Sequence, residues 1–127
     1  MGNLVLIADD DRDIVRFVAL NLRLEGFEVV VANDGQDALD MALDVGPSLI
    51  LLDTMMPRMD GYEVCSRLRD QRPDDQIPVI MLTAKSMEAD RSMAYTAGAD
   101  DWVTKPFDPA VLVSKVKDHL RDQGAAS

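Results

Sequence analysis

A single cysteine, Cys65, occurs in the chain, so neither an internal disulfide nor a thiolate zinc cluster can form. A reducing setting, the cytoplasm, is the expectation. Apolar runs are short: none nears the roughly 18 residues that a membrane-crossing helix needs, and Met1-Gly2-Asn3-Leu4 has no basic stretch leading into a long apolar one. No membrane segment and no leader are expected. Positive charge is scarce, with 13 Lys and Arg against 23 Asp and Glu and a net charge of -10. A field of that sign repels phosphate backbones, so direct nucleic-acid binding is not expected. Histidine is limited to His119, and internal repeats and low-complexity tracts are missing.

What is present is a chain of 127 residues, 47% hydrophobic and 28% charged, which suits one globular domain. Five runs are apolar almost throughout rather than alternating: Leu4–Ala8, Glu28–Ala32, Leu49–Leu52, Val79–Leu82 and Trp102–Thr104. That pattern predicts strands of a parallel sheet covered on both faces. Between them lie apolar residues at helical spacing, as in Ile14, Val18 and Leu22; Ala38, Leu39, Ala42 and Leu43; Val64 and Leu68; and Leu112, Val116 and Leu120. Gly26, Gly46 and Gly98 are placed to end helices. Asp60 with Glu63, Ser86 before Glu88, and Asp108-Pro109 are placed to start them.

Alternating strands and helices imply right-handed crossovers, which gather every strand's C-terminal end on one edge of the sheet. Asp9, Asp10 and Asp11, then Asp53, Thr83 and Lys105, must meet on that rim. Carboxylates crowded together repel one another unless a cation offsets them. An oxygen donor set without His or Cys favours Mg²⁺ over zinc, and Lys105 adds a compact positive charge for an Asp or a phosphoryl oxygen. Asp53, which ends the most apolar run and precedes Thr54-Met55-Met56-Pro57, is the nucleophile candidate. A carboxylate can attack a phosphoryl group to give an aspartyl phosphate, and Thr83 would donate a hydroxyl hydrogen bond to the same group. Any one of these acids, taken singly, also reads as a helix cap, and Asp11 is read as one.

Four pieces carry a family resemblance: Asp9-Asp10 after the first strand; Asp53 in Leu-Leu-Asp-Thr-Met-Met-Pro-Arg-Met-Asp-Gly; Thr83-Ala84; and Gly98-Ala99-Asp100-Asp101-Trp102-Val103-Thr104-Lys105-Pro106-Phe107. In this order and spacing the chain resembles, from about Leu4 to Leu120, the receiver domain of bacterial two-component response regulators. The resemblance implies a flavodoxin-like three-layer α/β sandwich, a five-stranded parallel sheet of order 2-1-3-4-5 with five helices. Residues 1–122 would form the receiver domain and 123–127 a tail or the start of a linker.

By position, the resemblance implies Asp53 as phosphoacceptor and Asp10 as a direct Mg²⁺ ligand. Asp9 would act mainly through water, and the Met55 carbonyl would complete the protein's share of the coordination. Lys105 would contact the phosphoryl group, with a cis Lys105-Pro106 bond. Switching would involve Thr83 moving toward the phosphoryl group and Trp102, larger than the usual Tyr or Phe, filling the vacated space. The phosphoryl donor would be a sensor histidine kinase or histidine phosphotransfer protein. A downstream output protein or domain would meet the face made by the fourth helix, fifth strand and fifth helix.

Other positions carry expectations too. Thr54 is polar where the family is usually apolar, while Met55 and Lys85 sit where relatives tune the lifetime of the phosphoryl bond. Met55, Met56 and the other methionines read as core filler, and Cys65 as packed inward on the third helix. His119, with Lys115, Lys117 and Arg121, reads as positive charge complementing the end of the last helix. A Mg²⁺-dependent phosphohydrolase of haloacid dehalogenase type needs an acid two residues after the nucleophile, where Met55 stands. A scaffold that works without phosphorylation has no need of the charge constellation. A signalling switch is therefore expected rather than a metabolic enzyme.

Overall fold

Each of the five apolar runs forms a strand, and helices take up the chain between them. The computed structural model describes residues 3–74, 76–84 and 88–126. In order these are β1 (Leu4–Ala8), α1 (Arg12–Leu24), β2 (Glu28–Ala32), α2 (Gly35–Val45), β3 (Leu49–Asp53), α3 (Gly61–Gln71), β4 (Val79–Thr83), α4 (Glu88–Ala97), β5 (Asp101–Thr104) and α5 (Pro109–Ala126). The strands are parallel and lie in the order β2-β1-β3-β4-β5, as expected. β3 and β4 each extend one residue past their apolar runs to take in Asp53 and Thr83. α5 runs through Gly124 to Ala126. Among the described residues no helix is long and apolar enough to cross a membrane.

Alternate residues of each strand serve opposite faces of the sheet. Val5, Ile7 and Leu51 pack with Val18 and Leu22 of α1 and Val116 of α5, while Leu6, Ile50 and Met81 pack with Leu39 of α2 and Val64 of α3. Both faces are therefore apolar, which is why the strands show no alternation in sequence. Cys65 is fully buried on α3, and burial pushes its thiol up to about 11, so it stays an inert packing group. The expected caps at Asp11, Asp60 and Asp108 form, each accepting from a backbone N–H in the first turn of its helix. Asp34, which the sequence pattern did not single out, does the same for α2. Gly26, Gly46 and Gly98 take positive φ at helix ends. Ser86, expected to start the fourth helix, lies outside the described residues.

Among the described side chains of α4, Ala94 is buried while Met93 and Tyr95 are exposed. Its C-terminal end is held from α3. The Arg69 guanidinium donates to the Gly98 carbonyl from Nε (3.1 Å) and Nη2 (2.9 Å), to the Ile77 carbonyl from Nη1 (2.8 Å), and to Asp100 Oδ2 (3.1 Å). That carboxylate in turn accepts the Val79 N–H at 2.8 Å. Arg69→Ala is expected to lower stability by about 2 kcal/mol, because it strips a charged donor from half-buried carbonyls. Arg69→Lys should recover little, since a point charge cannot reproduce the fork. Urea unfolding of the three proteins checks this, and equal midpoints would contradict it.

Candidate functional site

The rim is sharpest where β1 and β3 run side by side, the point at which strand order reverses. Ala8 pairs with Leu52, so Asp9 and Asp53 follow at the same level on adjacent strand ends. Asp53 still pairs with Leu82 of β4 and is only 5% exposed. Asp9 is buried too, whereas Asp10 is open to solvent. One carboxylate oxygen from each of Asp9, Asp10 and Asp53 lies within 4.8 Å of the others. Lys105 reaches in from just beyond β5, its Nζ 2.8 Å from Asp9 Oδ2 and 3.3 Å from Asp53 Oδ1.

Backbone groups fix these side chains. The Asp11 N–H donates to Asp9 Oδ1 at 2.9 Å and the Met55 N–H to Asp53 Oδ1 at 3.2 Å. The Lys105 N–H donates to the Thr83 carbonyl at 2.6 Å, extending the register that pairs Thr83 with Thr104. Thr83 is buried at the end of β4, so Asp9, Asp10, Asp53, Thr83 and Lys105 occupy one rim. The Lys105-Pro106 bond is cis, as expected.

Three carboxylates face one ammonium group, and the imbalance perturbs the central acid. Burial pushes the Asp53 carboxyl up to about 6, aided by the Asp9 charge and only partly opposed by the Met55 N–H and Lys105. Burial works against the Lys105 charge, yet its hydrogen bond to Asp9 and the charges of Asp53 and Asp9 outweigh this and hold its pKa above the ordinary value. An all-oxygen donor set with surplus negative charge fits a hard divalent cation of the Mg²⁺ type.

The loop after Asp53 contains features that the sequence pattern did not single out. A Cβ on Gly61 would sit 2.2 Å from the Asp53 carbonyl oxygen, and the Gly61 N–H donates to the Thr54 carbonyl at 3.1 Å. The first turn of α3 can therefore approach the end of β3 only through glycine. Gly35 plays the same part at the start of α2, where a Cβ would fall 1.8 Å from the Met59 carbonyl oxygen. Between them Arg58 holds φ at 68°, the single positive value at a non-glycine among the described residues. An arginine there costs roughly 1–2 kcal/mol against the ordinary conformation.

Other expectations meet mixed outcomes. Thr54 is buried despite its hydroxyl. Met55 is 71% exposed, so it is not core filler: the loop turns its side chain outward while its backbone bonds Asp53. Met56 does pack against the core. Lys85 lies outside the described residues. Trp102 is half-buried and meets the Tyr95 ring of α4 edge-on, with centroids 5.4 Å apart. The basic cluster of α5 does not serve a helix end, because α5 runs on to Ala126. Lys115 Nζ lies 3.1 Å and His119 Nε2 3.0 Å from Asp101 Oδ2 on β5, while Lys117 pairs with Glu25 and Arg121 with Asp118. Burial works against the Asp101 charge, but bonds from His119, the Trp102 N–H and Lys115 outweigh it and lower its pKa.

A doubly wound sheet that carries acids and a lysine at its switch point, in place of a glycine-rich loop, is built to handle a cation and a phosphoryl group rather than a dinucleotide. The response regulator receiver domain model matches residues 5–117, and the chain belongs to that family. Its members accept a phosphoryl group and switch conformation in two-component signalling. They are signalling domains rather than classical enzymes, and the hydrolase alternative is not favoured. Solved structures agree over nearly the whole length. The receiver domain of Francisella response regulator 1452 is 32% identical, with 96% of this chain and 99% of that chain covered and a TM-score of 0.90. A putative response regulator from Chloroflexus aurantiacus is 35% identical, with coverage of 95% and 99% and a TM-score of 0.90. The Vibrio cholerae chemotaxis protein CheY4 is 31% identical, with coverage of 93% and 98% and a TM-score of 0.87.

Proposed function

We propose that Asp53 is the phosphoacceptor and that the donor is a phosphohistidine of a sensor kinase or phosphotransfer protein. The observation that carries this is the placement of a buried Asp53 carboxylate between two further acids and Lys105. An Asp53 oxygen attacks phosphorus, the phosphorus–nitrogen bond breaks, and the imidazole keeps the electron pair and takes up a proton. Asp10, Asp53 and the Met55 carbonyl would hold Mg²⁺, with Asp9 acting through water. When bound, the ion supplies positive charge against the phosphoryl oxygens. Lys105 contacts the transferred group and Thr83 donates its hydroxyl to it.

The switch pairs Thr83 with Trp102, and the α4-β5-α5 face meets the output protein or domain. Residues 1–122 act as the receiver unit, in the cytoplasm, with 123–127 a tail or the start of a linker. Incubation with acetyl phosphate and Mg²⁺, followed by intact-mass measurement, tests the assignment. One phosphoryl adduct is expected on the unaltered protein and none on Asp53→Asn. Continuous phosphate release without an adduct would favour a hydrolase, and no adduct on the unaltered protein would favour a scaffold.

A further inference from the structure

The loop from Thr54 to Asp60 leaves the site at Met55 and is tied down again at its tip. Arg58 Nη2 lies 2.7 Å from Asp34 Oδ2 and 3.6 Å from Asp37 Oδ1. The other Asp34 oxygen accepts the Asp37 N–H at 2.9 Å and so caps α2. The tip is thereby joined to a helix end that is itself pressed against the loop, since Gly35 leaves no room for a Cβ beside the Met59 carbonyl. Within the tip the Met59 N–H donates to the Pro57 carbonyl at 2.8 Å. With φ of 68° at the central Arg58, this is the strained form of γ-turn.

Arg58 is 61% exposed on its side chain, and an ion pair at such a position contributes little to global stability. Its effect falls on the choice of loop conformation. Only Met56 and Pro57 separate Met55 from Arg58, and proline restricts both itself and the residue before it. A shift at the tip is therefore passed to Met55 rather than absorbed on the way. We propose that Arg58 is a positioning residue for the metal and phosphoryl site, acting through Asp34 to fix the loop that carries the Met55 carbonyl. This inference rests on the assignment of Met55 made under the proposed function.

Two substitutions separate positioning from simple electrostatics. Arg58→Ala removes the tether, and Asp34→Asn keeps a good helix cap but removes the charge. Through space alone, losing a positive charge would tighten Mg²⁺ binding and losing a negative one would weaken it. Positioning predicts that both variants bind Mg²⁺ about 10-fold more weakly by titration calorimetry. Their unfolding midpoints in EDTA should stay close to that of the unaltered protein. Arg58→Lys should restore most of the affinity, because a single nitrogen makes the close contact. Unchanged affinity in both variants, opposite shifts, or lowered midpoints with unchanged affinity would each overturn the inference. Failure of the unaltered protein to bind Mg²⁺ would instead overturn the site assignment beneath it.

Discussion

Asp53→Asn is expected to stabilise the metal-free chain at pH 7 by up to about 3 kcal/mol, at about 1.4 kcal/mol per pKa unit, whereas most substitutions of buried groups destabilise. The carboxyl is raised from 3.8 to about 6 by burial and by Asp9. Below the lower value both folded and unfolded chains hold the proton, and the group has no effect on stability. As pH climbs from about 4 to 6 the unfolded chain releases its proton first, so the folded state loses stability, and the loss is complete above the folded pKa. Asp34 and Asp101, whose pKa values are lowered, act in the opposite sense, losing their contribution as pH falls. They are shared by both proteins, so the difference between the two isolates Asp53. Urea unfolding in EDTA at pH 4.5 and 7 should show the variant's lead growing from about 1 kcal/mol at the lower pH to about 3 kcal/mol at the higher. Equal stability at pH 7 would mean that the Asp53 charge is not penalised. Excess Mg²⁺ should narrow the gap, because an ion bound only to the folded state stabilises it.

Gly61→Ala is expected to cost about 3 kcal/mol, at the upper end of what overpacking a filled site costs. In an unhindered helix the same change would gain about 1 kcal/mol. The sign reverses because the new methyl would meet backbone, the Asp53 carbonyl oxygen at 2.2 Å and the Thr54 Cα at 3.1 Å. Neither can turn aside as a flexible side chain would. Relief requires moving α3 or the end of β3, so phosphorylation by acetyl phosphate should fall along with the unfolding midpoint. A variant as stable and as reactive as the unaltered protein would contradict the close approach.

The sheet was legible because covering both faces leaves an unmistakable signature, five runs without polar alternation, and the rim followed from chain direction alone. Asp9, Asp10, Asp53, Thr83 and Lys105 lie where strand ends placed them. Their spacing, and the sharing of Lys105 by Asp9 and Asp53, could not be read, since both depend on register between strands distant in sequence. α4 was visible only by its ends, because among its described side chains those meeting the core, Ala94 and Ala97, are small and leave no large apolar stripe. Gly35, Gly61 and Arg58 escaped for a related reason: their roles come from what approaches them, and nothing local records an approach. Met55 was misjudged because the loop that holds its backbone N–H against Asp53 turns its side chain outward, a constraint that residue type alone does not record. His119 was placed correctly on the last helix but read as complementing the helix end, since its partner Asp101 is 18 positions away.

The sheet ends in two open borders, β2 and β5. β5 begins with a carboxylate already gripped by Lys115 and His119, and β2 begins with the exposed Glu28. A second molecule seeking to lengthen either border by laying a strand alongside would have to strip water from these charges without offering anything better in return. Strand-by-strand lengthening of the sheet is thus opposed at both of its borders.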